Sequence, residues 1–172
     1  MSDAFEPFRL PGEHQTPEVT LAERAAFRVR ARVLSWLHVK LDGAGDDLPD
    51  IDPIDLTGGC AIASYVLWRV LQEKGVEAQL VRGSYSKGAH CWVQLQGVCV
   101  DATATQFGVP DLVWVTAQGT DPHYHTSYIN EEALDDFAYS WRTQSPLHFL
   151  SELEAMAREI ASTLHFPLPG IT

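Results

Sequence analysis

Apolar residues return at helical spacing early in the chain: Leu21, Phe27, Val33, Leu34, Leu37 and Leu41 run up to Gly43. Thr20-Leu-Ala-Glu23 reads as a capping box at the head of that run, so the pattern predicts a helix over 21–41. Residues 1–16 carry prolines and no periodicity, which predicts an extended arm. A second apolar run behaves differently. Ala61, Ile62, Ala63, Tyr65, Val66, Leu67, Val70 and Leu71 surround the helix axis instead of striping it, which marks a buried helix from Cys60 to Lys74, with Gly75 suited to the position just past its end.

Beyond Gly75 the period changes to two. The stretches 76–81, 90–96, 98–103, 112–117 and 123–129 read as strands separated by glycine-bearing turns. Asn130-Glu-Glu and Ser145-Pro146 then read as helix starts, the second helix running to about Leu164 with Leu150, Leu153, Ala157, Ile160 and Leu164 on one face. Helices, an antiparallel meander and helices again predict an α+β fold, with the sheet packed on the central helix that begins at Cys60 and with helices flanking it at either end. At 172 residues the chain suits one domain, 1–172, and no internal repeat is visible.

Charge narrows the classes of partner. Twelve Lys and Arg stand against 23 Asp and Glu, a net charge of −11. Nucleic acid and anionic membrane surfaces are poor partners for such a chain, because binding to phosphates draws on basic side chains. The uncharged run from Leu56 to Trp68 falls short of the roughly 20 residues of a membrane span, and the acidic opening Met-Ser-Asp-Ala-Phe-Glu lacks the basic start of a signal peptide. The expectation is a cytoplasmic protein. Six aspartates between Asp42 and Asp55, interspersed with Gly and Pro, predict a surface loop. Pro49 and Pro53 break the alternation that a calcium loop needs, and no closing Glu follows, so this loop is read as solvated, with no metal expected.

Three cysteines, Cys60, Cys91 and Cys99, are too few and odd in number for a disulfide framework. Cys60 stands at a helix N-terminus, where the backbone's partial positive charge favours thiolate, the nucleophilic form. The preceding Gly58 and Gly59 let a substrate carbonyl approach the backbone, and the Cys60 N–H, without an intrahelical acceptor, can face a developing oxyanion. By position alone, Cys60 could equally be a small buried hydrophobe. The hairpin downstream adds two residues. A tight turn at Gln96-Gly97 puts His90 opposite Thr103 and Trp92 opposite Asp101, so His90, Trp92, Gln94, Cys99, Asp101 and Thr103 share one face and Asp101 lies diagonally across from His90. Asp101 can then orient the imidazole while its other nitrogen serves the cysteine. Cys91 points to the opposite face, toward the core, and Cys99 lacks a helix dipole. Trp92 is expected at the site wall, Gln106 either lends an amide to the site or merely ends a strand, and His123-x-His125 is read as part of a surface strand, not a metal half-site.

Gly-Gly-Cys60 opening a helix, Gly88-Ala-His90-Cys-Trp92-Val, and Val100-Asp101-Ala-Thr103 together resemble the transglutaminase-like branch of the papain-like cysteine hydrolases, over about residues 57–108. The resemblance implies Cys60 as nucleophile, His90 as general base and then acid, and Asp101 as orienting carboxylate. It also implies an antiparallel sheet against the Cys60 helix, and a peptide or protein substrate. The expected activity is that of a cysteine hydrolase or acyltransferase acting on an amide bond through a thioester, as a peptidase or a protein-glutamine deamidase does, with no cofactor required. The alternative is a non-catalytic protein-binding module that keeps the fold.

Overall fold

The computed structural model describes residues 12–43, 56, 59–86, 88–109, 111–140 and 149–166. Among them are four α-helices and a five-stranded antiparallel sheet, an α+β arrangement. Residues 44–55 of the acidic stretch, residues 1–11 of the arm and the Ser145-Pro146 helix start lie outside the described residues; of the rest, Asp42 belongs to the first helix instead of a loop and Gly12–His14 form a 3-10 turn instead of an extended arm.

Helix α1, Pro17–Gly43, begins three residues before the capping box that the pattern predicts. The cap is Thr16, whose Oγ1 accepts the Val19 N–H at 3.2 Å, and Pro17 takes the first helical position, where its missing N–H costs nothing. Its buried face is built from Val19, Ala22, Ala26, Val29, Val33 and Leu37, whereas Phe27, assigned to the apolar stripe by spacing, is 46% exposed. Helix α2, Cys60–Glu73, is buried on nearly all sides, as its composition predicts. It stops because Gly75 turns left-handed (φ 70°), allowing the Gly75 N–H to reach Gln72 O and the Val76 N–H to reach Leu71 O. That closure uses Val76, which explains why strand β1 spans Gln79–Tyr85 instead of starting at residue 76.

Strands β2 (Gly88–Leu95), β3 (Val98–Asp101) and β4 (Trp114–Ala117) follow β1 as a meander, but β5 (Tyr124–Ile129) does not continue it. The sheet order is β4-β3-β2-β1-β5, so β5 crosses to the far edge and pairs with β1. The β2–β3 turn has the predicted form: Gln96 and Gly97 both have positive φ (48° and 73°), and Leu95 faces Val98. Alternation sorts the two faces. Cys91, Val93, Val98 and Val100 join the large core under α1, α2 and α4 (Leu150–Thr163), while Val81, Trp92 and Cys99 form a smaller cluster with Tyr124 on the other face. Helix α3, Asn130–Ser140, starts at Asn130, whose side-chain oxygen accepts the Leu80 N–H at 3.1 Å and ties the end of β5 to β1. Among the described residues no helix is long and apolar enough to cross a membrane.

Gly83, opposite His90 in β1, is where β5 presses closest. The β1–β5 register slips between Arg82 and Gly83, and a Cβ at Gly83 would stand 1.9 Å from the His125 carbonyl oxygen and 2.9 Å from the Trp92 ring. The carbonyl is backbone and cannot swing away, so Gly83→Ala should push β5 off the sheet. A loss of about 3 kcal/mol, at the upper end for overpacking, is expected in the urea unfolding free energy. An unchanged unfolding midpoint would contradict this close approach.

Candidate active site

Helix α2 opens at Cys60 without a side-chain cap. The chain enters it through a turn in which the buried Leu56, in the left-handed region (φ 65°), offers its carbonyl to the Gly59 N–H at 2.7 Å. The Gly59 amide is thereby engaged in the turn, so what Gly59 offers the site is the lack of a side chain. The next amide, that of Cys60, begins the helix, where backbone geometry provides no intrahelical acceptor.

Strands β2 and β3 bring His90 and Asp101 together by diverging. Their ladder ends at the Val93–Val100 pair, short of the predicted pairing of Trp92 with Asp101, while on its other side Asp101 still pairs with Trp114 of β4. The chain then turns away as the Thr103 N–H hooks back to Asp101 Oδ1 at 2.8 Å, and Arg30 of α1 holds the departing segment through the Ala102 carbonyl at 2.7 Å. The diagonal contact nevertheless forms: His90 Nε2 lies 2.5 Å from Asp101 Oδ2. The Cys60 thiol interacts with both the imidazole of His90 and the thiol of Cys91.

Asp101 is fully buried and its carboxylate is saturated. Oδ1 accepts from the Thr103 N–H and, at 3.1 Å, from Thr103 Oγ1; Oδ2 accepts from His90 and, at 2.9 Å, from the Tyr124 hydroxyl. Burial works against the charge, but the imidazolium, its hydrogen bond and these donors outweigh it and hold the carboxyl below its usual range. The same balance acts on His90. Burial opposes protonation, yet the charge and hydrogen bond of Asp101, helped by Cys60, push the imidazole up to about 10. The Cys60 thiol is drawn well below its ordinary value, first by the Cys91 hydrogen bond and then, against burial, by His90. Cys91, buried and bonded to a thiolate neighbour, moves the opposite way.

His90 is wholly enclosed. Trp92 stacks on it at 5.9 Å, Phe107 meets it edge-on at 4.7 Å, and Tyr85 and Tyr124 complete the surround, while Cys60 keeps 6% of its surface exposed. Trp92 is therefore not an open wall but a buried support behind the imidazole. Gln106, in the short 3-10 turn Ala104–Phe107, places its amide nitrogen 3.3 Å from His90 Nδ1 and donates to Thr103 O at 3.1 Å, so its side chain reaches the imidazole.

No protein-family model, curated protein or solved structure matches this chain. The functional reading rests on the chemistry of the site.

The remaining candidates fall away from it. Cys99 lies on the predicted face but is buried beside Gln94, and burial pushes its thiol up to about 11. His123 is bonded to Asp121 at 2.7 Å, and among the described residues no three His, Cys, Asp or Glu side chains converge as metal ligands. Two neighbours had no sequence signal. Alternation sends Cys91 to the face opposite His90, so its interaction with Cys60 was not expected at the site. Tyr124 joins Asp101 only because β5 crosses the sheet.

Proposed function

We propose that the protein is a cysteine hydrolase or acyltransferase of transglutaminase-like, papain-like architecture that acts on an amide bond of a peptide or protein. One observation carries this reading: a thiol at the start of a buried helix meets an imidazole whose Nε2 is bonded to a saturated, buried carboxylate. In this reading the Cys60 thiolate attacks the carbonyl carbon, and the Cys60 N–H receives the developing oxyanion. Gly59 leaves that approach free of a side chain. As the tetrahedral intermediate collapses, the C–N bond breaks and the His90 imidazolium gives its proton to the departing amine, leaving a thioester. Water or an amine then attacks the thioester while His90 takes its proton, and the thiolate is released. Asp101 keeps the imidazole oriented throughout, and Gln106 sits beside Nδ1, where the leaving group would come. Three free cysteines, one held as thiolate, suit a reducing compartment such as the cytoplasm.

Iodoacetamide at pH 6 tests this reading, with the modified cysteines mapped by mass spectrometry. An ordinary thiol is almost wholly protonated at that pH, so Cys60 should be alkylated about 10²-fold faster than Cys91 or Cys99. Equal, slow labelling of all three would favour a non-catalytic binding module instead.

A further inference from the structure

Two of the four donors to Asp101 come from its own turn. The Thr103 N–H and hydroxyl lie two residues on and hold Oδ1 wherever this turn forms. Oδ2, the oxygen facing the imidazole, receives no such local support. Its second donor is the Tyr124 hydroxyl, brought from the opposite edge of the sheet by β5. The ring is wedged edge-on against Trp92 and Tyr85, each at 4.9 Å, so the hydroxyl is held in place by packing. Burial and the neighbouring carboxylate keep that hydroxyl protonated far above its usual range, and it therefore donates throughout.

We propose that Tyr124 is a positioning residue of the site: its hydroxyl fixes Asp101 Oδ2 against His90 Nε2 and, by sharing that oxygen, limits how strongly the carboxylate holds the imidazole proton. The proposal rests on the reading of Cys60, His90 and Asp101 as a catalytic triad. A carboxylate oxygen that accepts two hydrogen bonds is a weaker partner to each, so the shared Oδ2 leaves the imidazolium acidic enough to protonate a leaving amine. With one bond removed, Oδ2 pulls harder on the imidazole proton and also loses one of its two anchors. The titratable groups around the imidazole are Cys60 from α2, Cys91 from β2, Asp101 from β3, Tyr85 from β1 and Tyr124 itself.

Tyr124→Phe removes the hydroxyl and keeps the ring. The His90 imidazole, followed by NMR in the full chain, should bind its proton about threefold to tenfold more tightly than in the wild type. Turnover of a glutamine peptide should lose about tenfold in kcat, with KM changed less than twofold. Placing 3-fluorotyrosine at position 124, whose more acidic hydroxyl donates more strongly, should move the imidazole titration the other way, and it covers the case in which the Phe protein does not fold. Opposite shifts cannot come from a ring that only fills space. An imidazole titration unmoved by both replacements would overturn the proposal. Failure of the triad reading is read separately, from wild-type Cys60 showing no preferential alkylation.

Discussion

Asp101→Ala should destabilise the protein by about 3–5 kcal/mol, the range for breaking a buried ion pair from one side. The substitution leaves the enclosed His90 ring without its carboxylate and strands the donors of Thr103 and Tyr124 in the interior. It also changes which groups set the response to acid. In the wild type Asp101 is held below 3.8, so its contribution is complete above that value and is lost only as the pH falls through the lowered one. In the variant, what chiefly raised His90 is gone while its burial remains, so the folded state favours neutral imidazole. The unfolded chain then takes up the proton first, and stability should drop as the pH falls below 6.5. Urea unfolding followed from pH 8 down to pH 4 reads both effects. A variant as stable as the wild type, with the same acid limb, would mean that the carboxylate is not the keystone of this cluster.

Cys60→Ala should reduce turnover of any amide substrate by at least about 10³-fold, because loss of a nucleophile leaves only binding and oxyanion stabilisation. The fold should survive at neutral pH, since the imidazolium keeps its Asp101 partner and the lost sulfur is small. Its stability should nevertheless acquire a new dependence on pH. A thiolate with an imidazolium holds the same number of protons as the thiol and neutral imidazole of an unfolded chain, so in the wild type the lowered thiol and the raised imidazole offset one another on the alkaline side of 6.5. Without the thiol, His90 alone remains raised. Its contribution is complete below 6.5 and fades as the pH climbs toward the folded value, so the Ala protein should lose stability on the alkaline side where the wild type holds level. Parallel pH profiles for the two proteins would argue against an ion pair at rest.

The parts of the site set by local rules were legible in the sequence. A two-residue turn at Gln96-Gly97 dictates the register of β2 and β3, and the alternation of side chains then puts His90 and Asp101 on one face. A glycine after an apolar helix dictates its end at Gly75. What depends on distant packing was not legible. The strand pattern at 123–129 is visible, but whether that strand extends the meander or crosses to β1 depends on the bulge opposite Gly83 and on the Asn130 contact with Leu80, neither of which leaves a periodic trace. The exposure of Phe27 has the same origin, because spacing shows which residues share a helix face but not how wide a stripe the neighbouring helices cover.

The crossing of β5 also sets an order of assembly. His90 and Asp101 sit on one tight hairpin and can find each other as soon as it closes, a local event on the microsecond scale. Tyr124 arrives only when Val81 pairs with Ile129 across a long loop, one of the slower and entropically more costly closures in a chain of this kind. A nascent chain ending before β5 would therefore carry the thiol, the imidazole and the carboxylate without the hydroxyl that completes the set. On the proposed reading, docking of β5 completes both the sheet and the hydrogen bonding of Asp101.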